Sequence, residues 1–242
     1  LVAFILASSV VYIFNDINDI KEDKTHPVKK MRPLAFGKIS ITNAIFVAVF
    51  LGIGATLFLS VLPVECTYIV LAYLVVNFFY TTSLKFYAII DIILIAVGFV
   101  LRVIMGGYAI NVVISPWIIL TTFLLALFLA AGKRYHELEV KGYKKHRQAL
   151  GNYTQLFLDK IIVISCVAAL LSYAIYTVEM GVNVGKNELV YTVIFVVFGL
   201  LRYLQHIYVH HEGGSPEKIM MSDMLFISNG LLWLITTLWI LV

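Results

Sequence analysis

The chain has 242 residues, of which 61% are hydrophobic and only 13% are charged, and its mean hydropathy is +0.95. A soluble domain covers its surface with far more charged side chains, so this composition excludes a soluble globular protein. The formal net charge of +4 is small, and the basic residues gather in a few loops that lack interleaved aromatic side chains. This distribution is typical of membrane topology, and it argues against a nucleic-acid partner.

Eight apolar runs approach the length of about 20 residues that crosses the hydrocarbon core of a bilayer. Inside lipid the backbone must satisfy its own hydrogen bonds, so each run is predicted to be a helix. We therefore expect an all-α fold, a polytopic transmembrane helical bundle, that forms one domain over residues 1–242. The predicted spans are, in chain order, Leu1–Phe14, Ile41–Leu62, Val64–Ser83, Tyr87–Tyr108, Pro116–Gly132, Ile161–Val178, Leu189–Tyr203 and Met224–Val242.

The first span begins within apolar sequence at Leu1, and we expect the chain to lack its natural N-terminal part. Of the 18 Lys and Arg residues, 16 fall in one set of loops, so the positive-inside rule predicts that these loops face the cytoplasm. We accordingly expect an integral protein of a bacterial-type cytoplasmic membrane with its chemistry on the cytoplasmic side. The loops are Lys21–Ser40, the turn at Lys85, Lys133–Lys160 and Arg202–Lys218.

The most informative segment follows the first span directly and reads NDINDIKED, from Asn15 to Asp23. At about 100° per helical residue, Asp16, Asp19 and Asp23 share one face of the helix. Carboxylates that converge near a membrane repel one another, and a bound cation relieves the repulsion. Oxygen ligands suit Mg²⁺, so we predict that these three acids are catalytic and bind magnesium together with Asn15. The alternative is a solvated helix end with ordinary flanking charges.

A basic stretch follows the acids and could hold phosphate oxygens; its predicted phosphate ligands are Lys29, Lys30 and Arg32. The two stretches together resemble the UbiA-type intramembrane prenyltransferase superfamily. In that superfamily an NDxxDxxxD motif ends the second transmembrane helix, and an RPLxxG segment follows, which Arg32–Gly37 matches. The resemblance implies a bundle of nine helices, of which eight would be present here.

Within the superfamily the chain is similar to the decaprenyl-phosphate phosphoribosyltransferase branch over nearly its whole length. That branch moves 5-phosphoribose from phosphoribosyl pyrophosphate (PRPP) to polyprenyl phosphate. The resemblance therefore implies these two substrates and Mg²⁺. The matching pieces are DxxxDKxHPxKxxRP at Asp19–Pro33, GFVLR at Gly98–Arg102, AGKRYxEL at Ala131–Leu138, LRY at Leu201–Tyr203 and GGxPE at Gly213–Glu217.

One departure from the wider superfamily concerns Lys133–Glu139, where aromatic prenyltransferases carry a second DxxxD motif. This segment is basic as well as acidic, which suits a donor with an additional 5-phosphate better than a second metal ion. We predict Lys133, Arg134 and Glu137 as donor ligands. The alternatives are basic residues that the helix dipole stabilises and an ordinary surface acid. The basic stretch Lys141–Arg147 is expected to meet anionic lipid headgroups, with a lid over the donor as the alternative.

Three further residues are predicted to bind substrate. Tyr80 and Lys85 flank the turn after the third span, and their spacing resembles the YxxxxK pattern that contacts diphosphate in the superfamily. The alternative is an interfacial Tyr beside a snorkelling Lys. Asp91 lies near the start of the next span, where it could pair with Lys85, bind ribose hydroxyls or metal, or simply interact with the helix N-terminus.

Two other groups of residues are weighed against simpler explanations. Arg102 lies deep in the fourth span, so we expect a buried structural partner such as Asn77 rather than a role as anchor for the acceptor phosphate. Three histidines near the end of the seventh span are expected in a solvated loop rather than at a metal, namely His206, His210 and His211.

The sequence thus favours a Mg²⁺-dependent membrane transferase that moves phosphoribose from PRPP to a polyprenyl phosphate. A first alternative keeps the fold and moves a polyprenyl group from its diphosphate to an aromatic acceptor. A second alternative is a non-enzymatic membrane carrier. Charges that cluster at one membrane face rather than along a pore disfavour the carrier.

Overall fold

The computed structural model describes residues 1–25, 29–140 and 148–242, and every regular element within these ranges is a helix. All eight predicted spans form helices, so the all-α fold is confirmed. The helices are α1 (Val2–Asn18), α2 (Ile20–Thr25), α3 (Pro33–Phe36), α4 (Ile41–Leu59), α5 (Val64–Thr82), α6 (Ile90–Ala109), α7 (Pro116–Glu139), α8 (Gln155–Val184), α9 (Val193–Tyr208), α10 (Pro216–Ser222) and α11 (Met224–Leu241). Short 3₁₀ turns lie at Lys29–Met31, Leu84–Phe86, Gln148–Asn152 and Asn187–Thr192.

Local sequence explains where several helices begin and end. The side chains of Ser40 and Thr154 each accept a hydrogen bond of 3.1 Å from the backbone N–H three residues on, which caps α4 and α8. Proline occupies the first turn of α3 and of α7, where its missing N–H has no helical partner to lose. Gly185 ends α8 with a φ of 69°, a left-handed conformation that glycine adopts without a steric penalty.

Seven of the described helices, counting Asn187–Thr192 with α9, are long and apolar enough to cross a membrane. Helix α1, with 17 residues, is shorter than these. Large apolar side chains stand exposed along the helices, such as Phe50 at 75% and Trp239 at 81%. An apolar surface of this extent is stable in lipid and not in water. The chain is an integral membrane protein.

Several helix boundaries differ from the sequence prediction, most clearly the end of α7 and the start of α8. Helix α7 continues to Glu139, and α8 begins at Gln155, so much of the predicted loop Lys133–Lys160 is helical. The cause is that helical hydrogen bonding does not require apolar side chains, and a span continues as a helix beyond the hydrocarbon core. The predicted headgroup contact of Lys141–Arg147 lies outside the described residues, as do His26 and Pro27 of the resemblance motif.

The chain divides into two compact units. The first consists of the described residues of 1–113 and 148–152, and the second of those of 114–140 and 153–242. In the first unit α1 packs on α4 and α5, and α5 packs on α6 around a core that includes Phe4, Cys66, Tyr73 and Met105. In the second unit α8 packs along α7 and against α9, which contacts α11. A single domain over the whole chain stays a prediction.

Candidate functional site

The acidic motif lies where α1 ends and α2 begins, in the first unit. The backbone N–H of Asp19 donates to the Asn15 carbonyl at 2.9 Å, and that of Asp23 donates to the Asp19 carbonyl at 2.8 Å. Helical four-residue spacing therefore continues through the motif, although Asp19 itself caps α1. Asp19 and Asp23 are 8% and 3% exposed, so two of the three carboxylates are buried.

Arg32, the residue before α3, joins two acids of the motif. Its Nη1 donates to Oδ1 of Asp16 at 2.7 Å and to Oδ2 of Asp23 at 2.9 Å. Lys29 adds a longer contact, with Nζ 4.0 Å from Oδ1 of Asp23. The predicted phosphate ligands Arg32 and Lys29 thus lie beside the acids, whereas Lys30 is exposed on the same turn.

Residues at and just after the end of α5 bond to the same motif. Lys85, in the turn after α5, donates from Nζ to Oδ1 of Asp19. The amide of Asn18 donates to the carbonyl of Thr81 at 3.3 Å and to Oδ1 of Asp19 at 3.2 Å. The hydroxyl of Thr81 in turn donates to Oδ1 of Asn15 at 3.3 Å. Sequence reasoning does not single out Asn18 or Thr81, although Asn18 lies within the motif itself.

The motif offers oxygen ligands only, which is the donor set that Mg²⁺ prefers. In the described part of the chain, no group of three His, Cys, Asp or Glu side chains is arranged to hold a metal ion. Instead, Arg32 and Lys85 neutralise the acids. Mg²⁺ commonly takes one or two protein carboxylates and completes its shell with waters and phosphate oxygens. The residues therefore fit a magnesium ion that arrives with a phosphorylated ligand.

Two other predicted ligands of the first unit lie on either side of the Lys85 turn in sequence. Asp91 lies in the first turn of α6 and is fully buried, where the helix N-terminus favours its negative charge. The residue two positions before it, Ile89, has a φ of 72°, which a β-branched residue rarely adopts. Such strain persists only where surrounding structure enforces it. Tyr80 is half-buried in the last turn of α5.

The charged turn of α7 belongs to the second unit. Arg134 is 1% exposed, and its Nη1 donates to Oε2 of Glu137 at 2.7 Å. Lys133, next to this buried pair, is exposed. A buried guanidinium that keeps a carboxylate beside it avoids the cost of an uncompensated charge. The turn therefore combines an exposed cation, Lys133, with the buried ion pair of Arg134 and Glu137.

A second polar cluster, which sequence reasoning misses, joins the end of α9 to the start of α11. Oδ2 of Asp223 accepts hydrogen bonds from Nη2 of Arg202 at 2.6 Å and from the Arg202 Nε at 3.0 Å. The same oxygen lies 2.8 Å from Nε2 of His206, whose Nδ1 lies 3.0 Å from Oε2 of Glu212. The prediction of a solvated loop is therefore wrong for His206, which is 7% exposed because these carboxylates enclose it.

The pKa of the Asp223 carboxyl lies well below its ordinary value of 3.8, because it accepts hydrogen bonds from Arg202, from the Phe226 backbone N–H and from His206. Burial has the opposite effect on this pKa but is outweighed. Asp223 also caps α11, since its Oδ1 accepts the Phe226 N–H at 2.7 Å. Two features of the sequence could have indicated this cluster. Arg202 and His206 are four residues apart on α9, and an Asp directly before an apolar run is a helix-start signal.

Arg102 has a structural partner, as expected, but this partner is Tyr73 and not Asn77. The Arg102 Nη2 donates to the Tyr73 hydroxyl at 3.3 Å. Its guanidinium also lies 4.8 to 5.6 Å from the ring centroids of Phe99, Phe4 and Tyr73. The amide of Asn77 bonds instead to the Tyr73 carbonyl. Aromatic faces stabilise a cation in an apolar setting, which explains how this charge is tolerated.

Spanning helices with carboxylates and cations paired at their ends define an integral membrane protein. The family model of the UbiA prenyltransferase family matches residues 1–230, and the chain belongs to this family of membrane transferases.

Four of the relatives found carry the name decaprenyl-phosphate phosphoribosyltransferase, and two of them illustrate the similarity. That of Mycobacterium tuberculosis is 31% identical over 240 residues, which cover 97% of this chain and 78% of the relative. That of Corynebacterium glutamicum is 30% identical over 239 residues, with 96% and 71% covered. A solved structure of a UbiA homolog from Archaeoglobus fulgidus, bound to DMAPP and Mg²⁺, superimposes with a TM-score of 0.73 at 15% identity. It covers 100% of this chain and 85% of that one. At this identity the likeness shows the fold.

Proposed function

We propose that the chain transfers 5-phosphoribose from PRPP to a polyprenyl phosphate and releases pyrophosphate, in a reaction that needs Mg²⁺. The observation that carries the proposal is the cluster in which Arg32 contacts Asp16 and Asp23 while Lys85 contacts Asp19. Adjacent carboxylates and cations suit a metal-bound diphosphate, because carboxylates bind the metal and cations bind the phosphate oxygens. The two relatives support phosphoribose as the transferred group.

Each predicted site residue of the first unit has a role in this proposal. Mg²⁺, when bound, supplies charge neutralisation to the pyrophosphate that leaves. The oxygen ligands Asn15, Asp16, Asp19 and Asp23 would hold the ion. Three basic side chains, Lys29, Arg32 and Lys85, exchange carboxylate partners for phosphate oxygens, and Lys30 adds a further cation. Tyr80 and Asp91 are further substrate ligands.

The charged turn of α7 is proposed as a second group of donor ligands. Lys133 and Arg134 supply the positive charge that the 5-phosphate of PRPP would need, and a prenyl diphosphate has no such group. Glu137 holds Arg134 in place through their 2.7 Å hydrogen bond. Glu137 is itself proposed as a further ligand of the donor.

Positioning and charge stabilisation suffice for the proposed reaction. An oxygen of the polyprenyl phosphate attacks the anomeric carbon of the ribose, and the bond from that carbon to pyrophosphate breaks, so that pyrophosphate leaves with the electron pair. The attacking phosphate is already anionic near neutral pH, so the chain needs no strong general base. The basic residues around the motif stabilise the charge that builds up on the leaving group.

The proposed reaction takes place at the cytoplasmic face. The basic loops predict this face, because they hold most of the Lys and Arg residues and adjoin the acidic motif. A water-soluble donor such as PRPP would reach the site from the cytoplasm, while the polyprenyl tail stays among the apolar helices.

A donor screen tests the proposal. The purified chain in lipid nanodiscs is given radiolabelled PRPP and a polyprenyl phosphate, with Mg²⁺ or with EDTA. We expect label in the organic-solvent extract with Mg²⁺ and none with EDTA. In a parallel reaction the chain receives a polyprenyl diphosphate and an aromatic acid. Alkylation of the acid, with no use of PRPP, would show that the donor is a prenyl diphosphate and that our assignment is wrong.

A further inference from the structure

Residues 209–215, which follow α9 in the second unit, form a segment that we call the strap. The strap is fixed to α9 by two bonds between the same residues. The Nδ1 of His206 lies 3.0 Å from Oε2 of Glu212, and the backbone N–H of Glu212 donates to the His206 carbonyl at 3.0 Å. The other ring nitrogen of His206 is bonded to Asp223, as described above. The strap therefore cannot leave α9 without breaking the contact between the buried His206 ring and Glu212.

Two glycines of the strap lie directly against α7. A methyl group on Gly213 would lie 3.0 Å from the carbonyl oxygen of Gly132. A methyl group on Gly214 would lie 2.9 Å from Nε2 of His136, and still closer to Cδ2. A side chain at Gly214 would displace the His136 ring, and one at Gly213 would press on the α7 backbone at Gly132. The glycine pair is thus what allows the strap to pack this close to the helix.

A third contact extends along the same helix. The Nδ1 of His211 lies 3.1 Å from both carboxylate oxygens of Glu139, the last residue of α7. The contacted positions of α7 are four and three residues apart, so they form one face of its last two turns. They are Gly132, His136 and Glu139.

The opposite face of these two turns carries the charged pair. At about 100° per residue, Arg134 and Glu137 leave the helix about 140° to 200° around from Gly132. We propose that the strap is a positioning device, which fixes the rotation of the last two turns of α7 and thereby where Arg134 and Glu137 point. The inference rests on the proposed role of these two residues as donor ligands. Gly213, Gly214 and His206 are then positioning residues that touch no substrate.

A size-compensating pair of substitutions tests the strap. Gly214→Ala places a methyl group against the His136 imidazole and should raise the KM for PRPP about tenfold or more, since small misplacements of binding groups have large effects. The KM for polyprenyl phosphate should stay within about twofold. His136→Ala removes the obstructing ring, and Nδ1 of that ring has no hydrogen-bond partner among the described residues. The double variant should therefore recover most of the PRPP affinity.

Gly230→Ala is the matched control. It lies on α11 in the same unit, and its added methyl group would meet no atom within 4 Å. We expect unchanged kinetics and an unchanged melting temperature. If Gly214→Ala lowers the melting temperature but leaves the KM for PRPP unchanged, the strap is structural only and the inference is wrong. If the double variant is no better than Gly214→Ala alone, the proposed contact is wrong.

A second variant keeps the test decisive if Gly214→Ala does not fold. His206→Gln retains a polar side chain but cannot bond to both Glu212 and Asp223 as the ring does. It should raise the KM for PRPP and leave the KM for polyprenyl phosphate unchanged. An equal fold-change in the two KM values would contradict the inference. If the wild-type chain instead uses a prenyl diphosphate, the proposed function fails, and the same variants measured with that donor still test the strap.

Discussion

At the scale of single residues, the buried acids of the motif differ sharply from their neighbour. Asp19 and Asp23 are buried and paired with cations, whereas Glu22 between them is exposed. An acid that is enclosed beside cations has its charge neutralised within the fold, while an exposed acid is solvated. The three carboxylates therefore allow a comparison within one short segment.

We expect Asp19→Asn and Asp23→Asn each to lower turnover by about 100-fold or more, because each removes a charged oxygen ligand from the proposed metal site. The measurement is the Mg²⁺-dependent initial rate in nanodiscs, with gel filtration to confirm an intact fold. Glu22→Gln is the control and should retain wild-type activity. Full activity of both Asp variants would remove the metal hypothesis.

For Arg102 we predict an effect on stability rather than on activity. Its guanidinium is held by three aromatic rings and the Tyr73 hydroxyl, so we expect it to support the fold and not the reaction. Arg102→Met should lower stability by about 1–2 kcal/mol, from the loss of cation–π contacts and a hydrogen bond. Thermal unfolding should show a drop of a few degrees, while the KM for either substrate stays unchanged. A selective rise in the KM for polyprenyl phosphate would instead indicate an acceptor anchor.

Residue type and spacing predict which side chains form the motif, but not which cation meets which acid. Acids are scarce in so apolar a chain, so Asp16, Asp19 and Asp23 stand out. Lys85 and Asp19, by contrast, are 66 positions apart, and their contact depends on how α5 packs against α1. For the same reason, residue spacing alone could not show that Arg102 bonds to Tyr73 rather than to Asn77.

At the scale of helices, apolar runs predict which segments are helical but place some ends too early. The charged residues Lys133–Glu139 interrupt the apolar pattern, yet α7 continues through them. A charged residue in a final turn can be solvated or paired, as the pair Arg134 and Glu137 is. Hydrophobicity therefore locates the membrane part of a helix rather than its whole length.

The polar cluster around Asp223, which joins α9 to α11, predicts that the stability of the protein depends on pH. The pKa of Asp223 is lowered in the folded chain, so this residue contributes stability that is fully present above its ordinary value of 3.8 and is lost as the pH falls below it. Asp223→Asn removes the contribution at every pH. We expect the difference in melting temperature between wild type and Asp223→Asn to be large at pH 5 and smaller at pH 3. A difference that does not change between these two pH values would contradict the assignment.

At the scale of the whole molecule, charge asymmetry and the number of spans determine the expected topology. The basic loops hold 16 of the 18 Lys and Arg residues, and the turn between α8 and α9 holds only Lys186. Both native cysteines, Cys66 and Cys166, are free and buried, so background labelling should be low. The chain is therefore suited to a test with single introduced cysteines.

We expect Lys38→Cys to react with a membrane-impermeant maleimide in inside-out vesicles, and Asn187→Cys to react in right-side-out vesicles. Both positions are exposed at the ends of helices. The measurement is the labelled fraction for each vesicle orientation, and detergent-solubilised protein serves as the control for full reactivity. Labelling of both positions from the same side would overturn the predicted topology and the cytoplasmic location of the site.

The pairing of Arg32 and Lys85 with the motif bears on how the protein matures in the cell. With its negative charges already balanced by side chains of the same polypeptide, the nascent chain can insert and assemble without waiting for a divalent ion. Purification in chelator should accordingly yield a folded protein that is inactive until magnesium is restored.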